Sequence, residues 1–281
     1  MSDPTSALRP PAVGDASFDA YYYAHCCGDP YTRSETLLRF FAGIADRIVA
    51  DINPKTALDA GCAIGLLVEA LRARGVDATG IDLSSYAIGQ VPESVRAYCR
   101  HGSIADEFPA RYDLIVSLEV VEHMPAREAE AAISNFCRHA DDVLFSSSPL
   151  DYKEPTHINV HPPEYWAEAF ARHGFYRDVD VDLSHITPWA ARFRRRTEPA
   201  HRIVRDYERR FWELALENAH RREHASGLQR EVQEMQDARP ALAQARRELA
   251  DATTALAQAR DRIAHMERSL FWRVRSLFRR Q

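Results

Sequence analysis

The chain has 281 residues, of which 46% are hydrophobic and 27% are charged. This length and composition are typical of a soluble protein with a buried core, with room for one α/β domain and an appendage. The formal net charge of −5 gives no reason to expect nucleic acid as a partner, and five cysteines without CxxC spacing argue against a disulfide framework or a cysteine zinc site.

Residues 1–16 are rich in proline and polar side chains, and we expect them to be disordered. They contain no apolar stretch that could serve as a signal peptide, and no run in the chain approaches the roughly 18 apolar residues of a membrane span. Because cysteines in this pattern also suit a reducing compartment, the sequence predicts a cytoplasmic protein.

An alternation of strand and helix patterns follows the N-terminal segment. A helical pattern runs from Phe18 to about Ala50 and stops at Asn53-Pro54. The strand candidates beyond it are residues 56–60, 78–82, 95–99, 114–118 and 143–146, and the helix candidates are 66–74, 86–91 and 126–139. This rhythm indicates βαβ units, and therefore an α/β fold with a doubly wound, mainly parallel sheet.

Three further elements are predicted after this sheet. A helix over residues 163–173 ends at Gly174, and strands over 176–183 and 186–193 form a hairpin around Ser184-His185. Pro188 cannot donate to a strand ladder, so we expect this hairpin at an edge of the sheet.

The region 197–267 has a different pattern, with apolar residues that fall seven apart. The series is Leu228, Met235, Leu242, Leu249, Leu256, Ile263, Leu270 and Leu277, and a second series three residues later is Ala238, Ala245, Ala252, Ala259 and Met266. This repeat predicts an α-helical coiled coil that associates with itself or with a partner helix, and a solvated single helix is the alternative. Pro240 predicts a break or kink.

The most informative segment is a turn at the predicted carboxyl edge of the sheet. Small residues at Gly61, Ala63 and Gly65 allow close approach of a ligand, and Asp82 ends the next strand, where an acid accepts hydrogen bonds from ribose hydroxyls. Asp59 would repel a pyrophosphate but suits an ammonium group, which favours S-adenosylmethionine over NAD. A glycine turn taken alone is weak evidence, because many such turns are structural.

Three motifs occur in order: Asp-Ala-Gly-Cys-Ala-Ile-Gly at 59–65, Gly-Ile-Asp-Leu-Ser at 80–84, and Tyr-Asp-Leu-Ile-Val-Ser-Leu-Glu-Val-Val-Glu-His-Met-Pro at 112–125. Over residues 35–183 the chain resembles class I S-adenosylmethionine-dependent methyltransferases. The resemblance implies a Rossmann-like, seven-stranded sheet in a domain at 17–196, with S-adenosyl-L-methionine as cofactor. It implies that the turn from Gly61 to Gly65 holds the methionine part of the cofactor and that Asp82 holds the ribose. The other implied contacts are Leu83, Ser103 and Ile104 near the adenine, and Leu118 and Glu119 at the methionine end.

Two positions depart from the family pattern. Ala63 replaces the usual middle glycine of the turn, which we expect to be tolerated if its φ angle is negative. Ser103 replaces an aspartate that often contacts the adenine amine. A serine hydroxyl still accepts a hydrogen bond, although without charge assistance, so we expect weaker binding rather than none.

Three histidines lie in loops expected at the carboxyl edge, and histidine is the usual general base for a hydroxyl acceptor. We predict His123, His157 and His161 as catalytic candidates, and hydrogen bonding to loop backbone is the alternative role. The spacing of His157 and His161 is compatible with a metal site. However, Pro162-Pro163 disfavours a helix there and no HExxH motif is present, so we predict no metal.

An aromatic segment from Tyr21 to Arg33 precedes the predicted sheet. We interpret it as a lid over the cofactor, with Arg33 available for the cofactor carboxylate. Packing of the tyrosines in the core is the alternative.

The last segment, 268–281, combines arginines with large apolar residues, which suits docking to an anionic membrane surface or to a protein partner. A final coiled-coil turn is the alternative. The tail and coiled coil resemble those of methyltransferases associated with bacterial surface-polysaccharide biosynthesis, which suggests a sugar hydroxyl or terminal phosphate as acceptor and a peripheral place at the inner face of the membrane. The competing hypotheses are a methyltransferase acting on a phenolic or quinone-like small molecule, and a coiled-coil scaffold with a non-catalytic cofactor domain.

Overall fold

The computed structural model describes residues 13–278, with side chains as far as residue 268. The chain divides into two compact units, Met1–Arg210 and Phe211–Gln281. The strands of the first unit are β1 Thr56–Ala60, β2 Asp77–Asp82, β3 Cys99–His101, β4 Leu114–Leu118, β5 Asp142–Ser146, β6 Phe175–Arg177 and β7 Ala191–Arg195. The helices are α1 Ala20–His25, α2 Glu35–Asp51, α3 Leu66–Arg72, α4 Ser85–Gln90, α5 Glu93–Arg96, α6 Ala126–His139, α7 Pro163–Ala171 and α8 Ala200–Phe278, the last of which begins in the first unit and continues through the second.

The seven strands form one sheet in the order β3-β2-β1-β4-β5-β7-β6. β1 to β5 are parallel, whereas β7 is antiparallel to both β5 and β6. The predicted Rossmann-like, seven-stranded sheet is confirmed. The order reverses direction between β1 and β4, and in such sheets a ligand binds in the crevice at the carboxyl ends of the strands on either side of this point.

The core lies on both sides of the sheet because β4 alternates its side chains between two buried clusters. Ile115 packs in a cluster with Phe136 of α6 and Phe170 of α7. Leu114 and Val116 pack in the other cluster, which contains residues of α2 and α3. Burial of each large apolar side chain contributes about 1.5–3 kcal/mol, so the two layers hold the carboxyl edge in place.

The bounds of several predicted elements differ from those observed. Residues 95–98 are not a strand, because Pro92 precedes the short helix α5 and β3 begins only at Cys99. The predicted strands 176–183 and 186–193 are largely a loop. In it Asp182 accepts a hydrogen bond from the backbone N–H of Ser184 at 2.9 Å, a side-chain turn that interrupts an extended chain.

The predicted disorder of residues 1–16 is wrong for its last few residues. Asp15 begins a short 3-10 helix and accepts hydrogen bonds from the backbone N–H of Ser85 at 2.7 Å and from its hydroxyl at 2.9 Å. These bonds tie the segment to α4. Residues 1–12 lie outside the described residues.

The region predicted as a coiled coil is one helix, α8, and it continues through Pro240, so the predicted break is absent. The heptad residues from Leu228 to Ile263 are exposed by 47% to 68% in the single chain. The side chains of the basic tail from residue 269 onward lie outside the described residues. No helix in the described part of the chain combines the length and the apolar character needed to traverse a lipid bilayer.

Candidate active site

A cavity of about 650 Å³ opens at the carboxyl ends of β1, β2 and β4. Its volume is within the range of about 300–1,000 Å³ that small-molecule sites have. Nine of the predicted cofactor residues line it: Asp59, Gly61, Ala63, Asp82, Leu83, Ser103, Ile104, Leu118 and Glu119. The topology therefore brings together residues that are as much as 60 positions apart (119 − 59) in the chain.

The turn after β1 depends on backbone conformations in the left-handed region. Gly61 has a φ of 96°, and a Cβ there would lie 2.3 Å from a methyl carbon of Val120. Ala63 has a φ of 45°, so the expectation of a negative φ is wrong. The cost of this conformation, about 1–2 kcal/mol for a residue with a Cβ, is offset in part because the Ala63 N–H donates to Asp82 at 2.7 Å.

Gly65 does not line the cavity, in contrast to its predicted role in holding the cofactor. It is the N-cap of α3 with a φ of 78°. A Cβ there would lie 3.1 Å from the Sγ of Cys99 and 3.2 Å from a methyl carbon of Val91. Gly65 therefore shapes the turn through packing.

The two acids at the strand ends occupy different environments. The carboxylate of Asp82 accepts hydrogen bonds from the backbone N–H groups of Ala63 and Ser84, each at 2.7 Å, which fix its orientation. Burial raises the pKa of Asp82, although these two bonds oppose the shift. Each carboxylate oxygen keeps a lone pair free for a ligand hydroxyl.

Asp59 is buried, and no described residue donates a hydrogen bond to its carboxyl group. Burial and the nearby charge of Asp82 raise the pKa of Asp59 to about 8. A buried carboxylate without a partner is unstable, and a ligand ammonium would supply the missing countercharge. The pair therefore fits a ligand with both hydroxyl and ammonium groups, as S-adenosylmethionine has.

The aromatic N-terminal segment contributes to the wall of the cavity. Tyr22, Tyr23 and Tyr31 line it. Tyr23 is also buried in a cluster with Leu66 and Ala87, so the same residue lines the cavity and packs in the core. Arg33 does not line the cavity, and Glu69 holds its guanidinium group through bonds of 2.6 and 3.2 Å, so the position predicted for it beside the cofactor carboxylate stays a prediction.

Two of the three predicted histidines meet at the cavity. The rings of His123 and His157 lie edge to face with their centroids 4.6 Å apart, and both residues line the wall. His161 lies away from the cavity: its ring stacks on Tyr165 at 3.7 Å, and its Nε2 contacts Asn159 at 3.0 Å. These contacts give His161 a role in packing and in hydrogen bonding within the loop.

A buried acid stands beside the two histidines. Glu122 has no exposed surface, one of its oxygens accepts the backbone N–H of Ser148 at 3.0 Å, and the other has no hydrogen-bond partner among the described residues. Burial, followed by the charge of Glu119, raises the pKa of Glu122 to about 8. Candidate ligand atoms of Glu122, His123 and His157 lie within 4.8 Å of one another, a grouping that the prediction of no metal did not anticipate.

Glu119 and Trp189 close another part of the wall. The indole N–H of Trp189 donates to Glu119 at 2.9 Å. Trp189 was missed as a site residue because it lies in a loop after α7, where the sequence predicts a strand. The one signal in the sequence was its place in a segment dense in apolar residues.

Comparison with known proteins identifies the domain. A sequence model described as a methyltransferase domain matches residues 32–178. The ubiquinone biosynthesis O-methyltransferase of Aromatoleum aromaticum is 34% identical over 113 residues, which cover 37% of this chain and 48% of the relative. That of Methylococcus capsulatus is 34% identical over 102 residues, covering 33% and 43%. The chain thus spans about half the length of the curated relatives it matches.

Among solved structures, magnesium protoporphyrin IX methyltransferase from Synechocystis PCC 6803 has the same fold. The form with bound S-adenosylmethionine has a TM-score of 0.50 and 20% identity, with 68% of this chain and 99% of that chain covered. The form with bound S-adenosylhomocysteine has a TM-score of 0.50 and 18% identity, with 64% and 99% covered. The chain therefore belongs to the family of methyltransferase domains whose cofactor is S-adenosylmethionine.

Proposed function

We propose that the chain transfers the methyl group of S-adenosylmethionine to a hydroxyl group of an apolar, ring-containing small molecule. The observation that carries this proposal is the composition of the cavity wall, where a pair of acids and a glycine turn share one space with aromatic side chains and two histidines. The bound cofactor supplies a methyl group on a positively charged sulfur. Its transfer requires mainly alignment and the exclusion of water.

The donor is held by the residues predicted from the sequence that line the cavity. Asp82 accepts the ribose hydroxyls, and Asp59 faces the ammonium group of the methionine part. Leu83, Ser103 and Ile104 surround the adenine, and Leu118 and Glu119 border the methionine end. The backbone turn at Gly61 and Ala63 brings main-chain atoms close to the ligand, because Gly61 has no side chain to interfere.

Much of the rest of the wall is apolar and includes Phe18, Phe40, Met124, Ile186 and Trp189, although Glu128, Asp151 and Glu154 also line the cavity. A phenolic ring gains from burial against such side chains, whereas each buried hydroxyl of a sugar would need its own partner. The relatives named for ubiquinone biosynthesis support the same class of acceptor. The surface glycan is the second candidate, and it rests on the sequence patterns of the coiled coil and the tail.

The hydroxyl proton needs an acceptor, and the two histidines at the cavity supply candidates. His157 donates Nδ1–H to the carbonyl oxygen of Asp151 at 2.8 Å, which leaves Nε2 with its lone pair. Burial lowers the pKa of His123 to about 3, so this ring stays neutral at physiological pH. We assign His157 the role of base and His123 a role in orienting the hydroxyl.

The second unit supports a proposal of self-association. Its heptad leucines from Leu228 to Leu256 are exposed in the single chain, and pairing of two such helices would remove them from water. We also propose that the basic tail contacts an anionic membrane surface, on its sequence pattern alone.

A labelled-methyl assay tests the acceptor class. Purified protein and labelled S-adenosylmethionine are incubated with substituted catechols and hydroquinones, nucleotide sugars and lipid-linked glycans in parallel. We expect methylated product from the phenolic panel only. We also expect the His157→Asn variant to form much less of this product than the wild type. Product from glycans alone would instead support the second candidate.

Calorimetry with S-adenosylmethionine completes this test. A folded protein that binds no cofactor would contradict the enzyme proposal and favour the scaffold hypothesis. Cofactor binding without transfer to any panel would overturn the choice of acceptors, while leaving the assignment of the cofactor intact.

A further inference from the structure

We propose that Glu122, His123 and His157 form a binding site for a divalent transition-metal ion in the wall of the cavity. These three side chains supply the donor atoms, and neighbouring groups orient them, whatever the identity of the methyl acceptor.

The three side chains each have one donor atom to offer. Glu122 uses one carboxylate oxygen for the N–H of Ser148, and the other oxygen is completely buried without a partner among the described residues. Such an oxygen destabilises the folded protein while it stays unpaired, and does so more strongly when it is charged. A cation beside it removes this cost.

Both histidines are oriented in the manner of metal ligands. His157 donates Nδ1–H to a backbone carbonyl, that of Asp151, at 2.8 Å. The Nδ1 of His123 lies 2.8 Å from the hydroxyl oxygen of Thr156, and that hydroxyl in turn donates to Glu154 at 3.1 Å. Each hydrogen bond holds one imidazole ring with its proton on Nδ1, so Nε2 is the nitrogen available to bind a metal ion in both histidines. Among the described residues, the contact that competes for the Nε2 of His123 is a long one, 3.4 Å from the hydroxyl of Tyr22.

The distances permit one shared ion after small side-chain adjustments. The candidate donor atoms lie within 4.8 Å of one another, and ligands of one ion at about 2.1 Å stand about 3–4 Å apart. His123 and His157 line the cavity, so an ion can enter from it. The nearby carboxylate of Glu119 adds negative potential, because it already acts on Glu122 electrostatically.

Two imidazoles and one carboxylate are donors that zinc, iron(II) and manganese accept, and they leave coordination positions open. An ion held there would coordinate the oxygen of a hydroxyl acceptor and lower the pKa of that hydroxyl, whose proton would then pass to water in the open cavity. His157 would then act through the ion, as a ligand, rather than as the base. The proposed methyl transfer is compatible with either role of His157.

The test uses the full chain, treated with a chelator, dialysed and titrated with Co²⁺ and then Mn²⁺. We expect one ion per chain, with the intense visible absorption of Co²⁺ bound by nitrogen ligands. His157→Asn and Glu122→Gln should each weaken binding by more than about tenfold. His173→Asn is the matched control, because His173 is exposed at the end of α7, and it should leave the affinity unchanged.

A second variant keeps the proposal open to refutation if Glu122→Gln does not fold. Thr156→Val preserves side-chain shape but removes the partner of His123, and it should reduce Co²⁺ affinity by about 10–100-fold. S-adenosylmethionine affinity, measured by calorimetry on each variant, shows whether the donor site is intact. No bound ion in the folded wild type, or equal affinity in wild type and His157→Asn, would overturn the proposal.

Discussion

Asp59 is a buried acid that lies close to a second acid, Asp82. In the free protein burial and Asp82 raise the pKa of Asp59 to about 8, so the carboxyl group is largely protonated at pH 7. An ammonium group bound beside it favours the carboxylate form and lowers that pKa. Cofactor binding should therefore release a proton.

This release makes S-adenosylmethionine affinity depend on pH. Between about pH 6 and 7 the ligand α-ammonium stays charged, and we expect affinity to rise with pH by up to about tenfold. Calorimetry in two buffers of different ionisation enthalpy measures the released proton. Asp59→Asn should abolish the buffer difference, and equal heats in both buffers for the wild type would contradict the assignment.

Gly61 provides a second prediction at this scale, because its position combines a left-handed φ with close packing. Gly61→Ala should destabilise the protein more than Gly75→Ala, by about 1–3 kcal/mol. Both glycines have a positive φ, 96° and 84°, but a Cβ at Gly75 has no neighbour within 4 Å, so the control isolates the contact with Val120. Denaturant unfolding of the two variants gives the difference. Equal loss in both would mean that Val120 moves aside without cost.

The sequence predicted the place of some cavity residues and not of others. Asp59 and Asp82 were predictable because their place at strand ends follows from the apolar segments before them. The positions of Arg33 and His161 were not predictable from the sequence. Glu69, which holds Arg33, is distant in sequence, and Tyr165, on which His161 stacks, belongs to a different element, α7. Glu122 shows the same limit: its burial beside two histidines depends on how the loop after β5 returns to the end of β4.

At the scale of elements, predictions were accurate where a buried segment has clear bounds. β1, β4 and α6 have the predicted bounds, because proline or aspartate marks at least one end of each. The loop at 178–190 was predicted as strand because Val181 and Ile186 are apolar. Both residues instead pack on the α2 side of the core and are not part of a β-strand. Apolar content alone does not distinguish a strand from a packed loop.

The continuity of α8 through Pro240 supplies a prediction for an element. A proline inside a helix has no N–H to donate to the carbonyl of Gln236, and it is about 3 kcal/mol less favourable than alanine there. Pro240→Ala should raise the local opening free energy by up to this amount. Hydrogen exchange of the amides around residue 240 should slow accordingly.

The control for this prediction is Gln244→Ala, which changes an exposed position of the same helix and keeps every backbone bond. It should alter exchange by no more than about 0.5 kcal/mol in local stability. Faster exchange in Pro240→Ala would indicate that the proline serves an arrangement other than a regular helix.

At the scale of the whole molecule, the two units differ in how they bury apolar surface. The first unit has two buried clusters around a sheet, whereas the second is a helix whose large apolar side chains, as far as residue 268, are mostly exposed. A lone helix gains most of its stability from packing of an apolar face, which the second unit by itself does not provide. Its heptad pattern points to other copies of the same helix as the source of that packing.

Leu256 tests whether the second unit associates with other copies. Leu256 is 53% exposed in the single chain, and complete burial of a leucine contributes about 1.5–3 kcal/mol. We expect the wild type to sediment as an oligomer with a concentration-dependent mass, and Leu256→Asp to shift it toward the monomer by placing a charge in the seam. Ala257→Asp adds the same charge one position away, outside both heptad series, and should keep the wild-type mass. Equal masses for all three proteins would contradict association through this seam, and a monomeric wild type would favour the solvated single helix.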